Sequence, residues 1–209
     1  MSGSFPITAG FQTLDFQSNS NTRVSVSVSG KTQRIKTGAQ FWSFKLKSPA
    51  MTRAQLMADF AFIVQQDGQA ESFTIVPPQI SSTRGTMTGT MTVSTTVSTD
   101  PAMNTAAGSS AVGIVEDSTA SGTLKKGDLI KFSNHDKVYM ITEDFNLQND
   151  SSVQPLKFYP PLTTALTGGG QTITYNNVPI TVYFDKDEQK YITQADGTFR
   201  YEIVMNEEI

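Results

Sequence analysis

Alternation of apolar and polar residues limits most strongly what this chain can fold into. It is strictest over residues 23–30 (RVSVSVSG), where valine occupies every second position between arginine or serine residues. In a strand, side chains two positions apart share a face, so this stretch predicts a half-buried strand. Residues 41–47 (FWSFKLK) predict a second strand, with large apolar side chains on one face and polar ones on the other: Trp42, Phe44 and Leu46 against Ser43, Lys45 and Lys47. The polar, basic segment 31–40 is predicted to be a long connection in a hairpin.

A single helix is predicted over residues 52–66. Thr52 is a favourable N-cap residue, and Gln55 three positions later completes a capping box. Gly68 lies where a helix commonly ends in a left-handed residue. The apolar residues inside the segment recur at helical spacing, which predicts that one face packs on a sheet: Leu56, Phe60, Ile63 and Val64.

A change in composition near residue 81 indicates how the chain is divided. From 81 to 123, serine, threonine and glycine make up 24 of 43 residues, and short strand-like segments separated by turns follow. We predict a mainly β fold, an antiparallel sandwich with one packed helix plus a small inserted β-barrel-like module. Residues 1–80 and 166–209 are predicted to share the sandwich-like domain, and residues 81–165 to form the barrel with a Ser/Thr/Gly-rich approach.

Charge is distributed unevenly between the two ends of the chain. Residues 1–53 contain seven basic residues and one acidic residue, whereas residues 185–209 contain three basic and seven acidic ones. Two interpretations follow: the ends neutralise each other within one sheet, or they form surfaces that meet between neighbouring copies. The second interpretation makes six residues candidate interface residues: Arg34, Lys36, Lys45, Lys47, Glu207 and Glu208.

Several functional classes find no support in the sequence. A net charge of −3 argues against a general nucleic-acid coat or a protein that binds anionic membranes. No apolar run approaches 18 residues, so no transmembrane helix is predicted. The absence of cysteine removes disulfides, thiolate zinc sites and cysteine nucleophiles. The one histidine, His135, lies in a polar turn, and residues 185–188 lack the glycine and the closing glutamate of a calcium loop. We therefore predict no catalytic, cofactor-binding or metal-binding residues.

The order of motifs along the chain resembles structural proteins of the distal tail or baseplate of tailed bacteriophages. The motifs that carry the likeness are FQTLDFQSNS at 11–20, FWSF at 41–44, PxMTR at 49–53, Gly68, Phe73 and Pro78 at intervals of five, LKKGDLIKF at 124–132, and PPL at 160–162. The resemblance implies a non-enzymatic building block of the virion tail, made in the host cytoplasm. It further implies a closed ring, commonly sixfold, that links the tail tube to the adsorption apparatus and contacts tube, hub, fibre or baseplate components.

Two other classes remain as alternatives. A carbohydrate- or receptor-binding β module for host attachment would need aromatic side chains exposed on a concave face. Trp42 is the only tryptophan, and its place in an alternating strand predicts a core residue instead. A barrel-fold hydrolase would need an acid–base pair or a metal site, and no recognisable motif supplies one.

Overall fold

Strands dominate the structure. The residues described by the computed structural model are 3–94, 103–115, 120–147, 153–167 and 170–209. They form fourteen strands and one helix, which confirms the prediction of a mainly β protein. The chain divides into two units, residues 1–75 with 181–208 and residues 76–180, so that the second interrupts the first in sequence.

The first unit is built on one sheet. Its elements in chain order are β1 (Thr13–Val26), β2 (Thr32–Lys47), α1 (Arg53–Gln65), β3 (Phe73–Ile75), β12 (Ile180–Phe184), β13 (Tyr191–Thr193) and β14 (Phe199–Glu207). The sheet has the order β1-β2-β14-β12-β3, and β13 pairs with β14 outside this path. The pairs β1/β2, β2/β14 and β12/β14 are all antiparallel.

The inner face of this sheet is the one that the alternation of residues 41–47 predicts. Trp42, Phe44 and Leu46 are buried, whereas Lys47 is exposed. Phe16 on the neighbouring strand stacks on Trp42 with ring centroids 4.6 Å apart. The predicted apolar face of this strand is therefore confirmed, whereas Ser43 of the predicted polar face is also buried.

The helix packs on the sheet of the first unit. It runs from Arg53 to Gln65, and Thr52 and Gln55 form the predicted capping box. Of the predicted apolar stripe, Leu56 and Ile63 are buried, but Val64 is 61% exposed. A further anchor comes from Asp59, a fully buried carboxylate that accepts hydrogen bonds from the hydroxyls of Thr8 and Tyr201, the latter on β14. These bonds join the amino-terminal segment, the helix and the sheet.

The hairpin β1–β2 differs from its prediction. Residues 32–40, expected to be a connection, belong to the strand β2. The actual turn lies at residues 27–31, where the Ser27 amide donates to the Lys31 carbonyl (2.9 Å) and Gly30 adopts a φ of +77°. That φ is one that glycine adopts without steric cost. The predicted connection is therefore wrong, because a strand that is exposed on both faces is as polar in composition as a loop.

The second unit contains the predicted barrel. Its elements are β4 (Met91–Val93), β5 (Ala111–Val115), β6 (Gly122–Leu124), β7 (Leu129–Phe132), β8 (Val138–Ile141), β9 (Phe145–Leu147), β10 (Gln154–Tyr159) and β11 (Thr172–Thr174). Six of them close a barrel in the order β10-β5-β4-β11-β7-β8, and β6 pairs with β9 in a separate two-stranded sheet. Its buried core includes Phe132, Tyr139 and Phe158, whose rings contact one another.

The boundary between the units lies later in the chain than the sequence indicates. Residues 166–180 are predicted to belong to the sandwich-like domain, but β11 pairs with β4 and β7 in the barrel. Leu166 and Ile173 are buried in the barrel core. Alternation predicts that residues 172–175 form a strand, but it does not specify which sheet receives that strand.

Part of the Ser/Thr/Gly-rich approach is packed rather than extended. The buried Asp128 carboxylate accepts hydrogen bonds from the Thr83 hydroxyl, the Arg84 amide and the Lys125 amide. Gly85 passes so close to β6 that a Cβ there would lie 1.9 Å from the Thr123 carbonyl oxygen. Residues 83–88 are thus fixed to the barrel unit, whereas residues 95–102 and 116–119 lie outside the described part of the chain.

Candidate assembly interface

The outer half of the β1–β2 hairpin forms a projection that we call the arm, residues 21–37. The two strands pair regularly up to Ser20 opposite Gln40, and the register then shifts so that Thr22 lies opposite Lys36. Asn21 thus faces the three residues 37–39, an irregularity that separates the arm from the base of the hairpin. β14 pairs with β2 only through residues 43–47, so the arm continues beyond that strand pair.

Residues 21–37 are all exposed, so the whole arm lies outside the core of its unit. The predicted half-buried face of residues 23–30 is therefore wrong, because no covering layer reaches it. The valines and the isoleucine of the arm have large exposed fractions: Val24 57%, Val26 65%, Val28 fully exposed, and Ile35 63%. Aliphatic side chains concentrated on one exposed projection are typical of a surface that another protein covers.

The charge of the arm has a single sign. Residues 21–37 contain four basic residues and no acidic one: Arg23, Lys31, Arg34 and Lys36. In the register of the two strands, Val24 lies opposite Arg34 and Ile35 lies opposite Arg23. Directly opposed residues of an antiparallel pair share a face, so each face of the arm carries an aliphatic and a cationic side chain.

The structure divides the six predicted interface residues into two groups. Lys45 and Lys47 bind Glu202 on β14, with nitrogen–oxygen distances of 2.7 and 3.3 Å. The hydrogen bond between Lys45 and Glu202 raises the pKa of the lysine and lowers the pKa of the carboxyl group. Both lysines are thus engaged by one carboxylate of the carboxyl-terminal strand within one sheet.

Glu207 is also engaged inside the unit. Its side chain is buried, and its carboxylate accepts a hydrogen bond from the Trp42 amide at 3.0 Å. Arg34 and Lys36 lie on the arm, and Glu208 is exposed beside the last strand. Three of the six predicted residues, Arg34, Lys36 and Glu208, therefore lie on accessible surface and outside the ion pairs with Glu202.

A shallow groove of about 370 Å³ lies along β14 of the same unit. It is lined by residues 185, 186 and 188–190 of a turn, by Ile192 and by the segment 202–204. Ile192 is 58% exposed, Val204 is 36% exposed, and the adjacent Tyr191 is 40% exposed. The groove thus presents the apolar side chains of Ile192 and Val204, and its lining carries both signs of charge: Asp185, Glu188 and Glu202 with Lys186 and Lys190.

The wall of the groove is held in place by hydrogen bonds. The Asp185 carboxylate accepts from the Asn206 side-chain amide at 2.8 Å, and the Asp187 carboxylate accepts from the Gln69 amide at 3.1 Å. Tyr191 packs edge-to-face on Phe60 of the helix with ring centroids 5.0 Å apart. The turn is therefore attached both to the sheet and to the segment after the helix.

His135 lies in a hydrogen-bonded network of the barrel unit. Its Nε2 atom is 2.7 Å from the Tyr139 hydroxyl, which in turn accepts a hydrogen bond from the Thr163 amide. Burial lowers the pKa of the imidazole.

Among the residues that the structure describes, no group of three or more histidine, aspartate or glutamate side chains could hold a metal ion. The described residues also include no helix with the length and hydropathy of a membrane span.

Comparison with known proteins relates this chain to distal tail proteins of bacteriophages. Residues 89–178, which lie within the barrel unit, match the family model of the distal tail protein pb9, B domain. Over 166 residues the chain is 24% identical to distal tail protein pb9 of Escherichia phage T5. The resemblance to phage distal tail proteins is confirmed. The alignment covers 78% of this chain and 74% of the T5 protein, so it reaches beyond the barrel.

The comparisons support a structural protein of the phage distal tail. They do not favour the alternative of a carbohydrate- or receptor-binding module, and a structural relative argues against an enzyme. Sequence reasoning missed the groove and two of the four cations of the arm, Arg23 and Lys31. One signal for the arm was present in the sequence: residues 16–58 contain no acidic residue.

Proposed function

We propose that this chain is an oligomeric subunit at the tip of a phage tail, a ring or baseplate component that links the tail tube to the adsorption apparatus. The likeness to distal tail protein pb9 supports a place in the tail of the virion, after synthesis in the host cytoplasm. Its partners would be copies of itself, in a ring that the resemblance suggests to be sixfold, and neighbouring tube, hub, fibre or baseplate proteins. Its role is non-enzymatic.

The arm is the observation that carries this proposal. A two-stranded ribbon with four exposed aliphatic side chains contributes no core to its own unit. Covering such side chains in an interface stabilises it by roughly 25 cal/mol per Å² of apolar surface removed from water. A cyclic ring requires two different, complementary surfaces on each subunit, and a projecting arm can supply one of them.

The oligomeric state of the purified full chain tests the proposal. We expect native mass spectrometry and light scattering to show a closed oligomer, and electron microscopy to show a ring. The double variant Val24→Thr with Val26→Thr should shift the oligomer toward monomer, because it removes apolar surface from the arm while keeping β-branched residues. Val64→Thr, at a helix position with 61% exposure, is the matched control. A strictly monomeric chain at high concentration, and its absence from purified virions, would contradict the proposal.

A further inference from the structure

We infer that the arm of one copy docks in the β14 groove of the next copy. This inference rests on the proposed function, since it names the two surfaces through which the oligomer would close. The groove is the surface lined by residues 185, 186, 188–190, Ile192 and 202–204. Each copy would offer one arm and one groove, which is the head-to-tail arrangement that a ring requires.

Exposed apolar side chains of the described residues are concentrated on these two surfaces. Eleven large hydrophobic residues are exposed in the described part of the chain, and six of them lie on the arm or line the groove. The six are Val24, Val26, Val28 and Ile35 on the arm, and Ile192 and Val204 in the groove. Val24 and Val26 lie on one face of the arm and Ile35 lies on the other, so docking would bury one face of the arm together with Ile192 and Val204.

The positive charge of the arm favours an acidic partner, and the remainder of this same chain is acidic. The arm contains four of the sixteen basic residues and none of the nineteen acidic ones, so the remainder of the chain has a net charge of −7. Glu188 is exposed at the edge of the groove, where it can face a cation of the arm. Complementary charge of this kind fixes register and orientation more than it adds affinity.

The arm does not occupy the groove of its own chain. All residues from 21 to 37 are exposed, and Ile192 remains 58% exposed. Both surfaces belong to the first unit, so the contact would repeat between equivalent units of neighbouring copies. A nucleic acid fits the arm less well, because residues 21–37 include no aromatic side chain on which a base could stack.

Engineered disulfides test the contact, because the chain contains no cysteine of its own. One full-length variant carries Val26→Cys, and a second carries Ile192→Cys with a distinguishable tag. Mixing and mild oxidation should give a disulfide between the two variants in clear excess over either self-linked dimer. In the control mixture, Val64→Cys replaces Ile192→Cys at a position of similar exposure and should give no such excess.

A second measurement does not depend on disulfide geometry. Val26→Asp and Ile192→Asp should each weaken oligomer formation at least tenfold, and the double variant should be hardly weaker than either single one, because both remove the same contact. Val64→Asp should leave the oligomer unchanged. An oligomer without the mixed disulfide, in which the two Asp variants act additively, would overturn the inference and leave the proposed function standing.

Two further outcomes are informative. A chain that stays monomeric under all conditions would remove the proposed function and this inference together. Binding of the wild-type chain to duplex DNA, lost in Val26→Asp and Arg34→Glu variants, would assign the arm to nucleic acid and overturn docking on a second copy.

Discussion

The β1–β2 hairpin has two parts, the arm and the base, which consists of residues 13–20 and 40–47. The two parts share the same two strands but have opposite surroundings. In the base, Trp42, Phe44 and Leu46 are buried against the rest of the unit. In the arm, Val24, Val26 and Ile35 are each more than half exposed. Both halves show alternating sequence, and the boundary between them is the register shift beside Asn21.

This difference shows that alternation predicts a strand but not its burial. A strand becomes half-buried only where another element covers one of its faces. β14 pairs with β2 over residues 43–47, and the helix lies on β14, so the base acquires a core. The arm, residues 21–37, lies outside the part of the hairpin that pairs with β14, and its aliphatic side chains remain exposed.

The largest effect should come from truncating the core of the base. Phe44 is fully buried and lies 5.1 Å from the ring of Phe16. Phe44→Ala should lower the free energy of unfolding by about 3–5 kcal/mol, because it removes buried apolar surface and leaves a cavity. Fluorescence of Trp42, the only tryptophan, follows this unfolding in denaturant. A loss below about 1 kcal/mol would mean that the base is no better packed than the arm.

Two adjacent glutamates sharpen the comparison at the edge of the base. Glu207 accepts the hydrogen bond of the Trp42 amide in a buried setting, whereas Glu208 is exposed. Glu207→Ala should cost about 1–3 kcal/mol, because it removes the acceptor of a buried donor. Glu208→Ala should have little effect in the same denaturation experiment. Equal effects of the two substitutions would contradict the buried position of Glu207.

A smaller, pH-dependent effect should be confined to the barrel unit. Burial lowers the pKa of His135 in the folded state, so the unfolded chain binds its proton more readily. Stability contributed by the neutral imidazole is present above the unfolded pKa of about 6.5 and is lost as pH falls through the lower folded value. Hydrogen exchange of the barrel strands should accelerate as pH falls from 7 to 5, after correction for the intrinsic rate. His135→Gln should reduce this dependence, and an unchanged dependence would contradict it.

The smallest effect on stability is expected in the arm. Val26→Thr should change the free energy of unfolding by less than about 0.5 kcal/mol, because the side chain is 65% exposed and packs in no core. Denaturation followed through Trp42 provides the measurement. A loss as large as that of Phe44→Ala would show that the arm is covered within its own chain.

Much of the site could not be predicted from the sequence. Alternation places Lys45 and Lys47 on the polar face of their strand. It does not predict their partner Glu202, which lies some 155 residues further along the chain. The groove joins a turn, a short strand and a segment of β14, none of which carries a motif. Long-range pairing of this kind follows from sheet order, which a single sequence does not encode in its local pattern.

Local patterns determined the strand content, the helix with its capping box, and the barrel that follows the change in composition. Alternation, cap residues and turns act over a few neighbours, so a sequence can express them directly. The tertiary structure alone decided that β11 belongs to the barrel, that Glu207 is buried, and that both faces of the arm are exposed. The physical reason is that burial depends on which distant element covers a face, and no residue of the strand itself specifies that element.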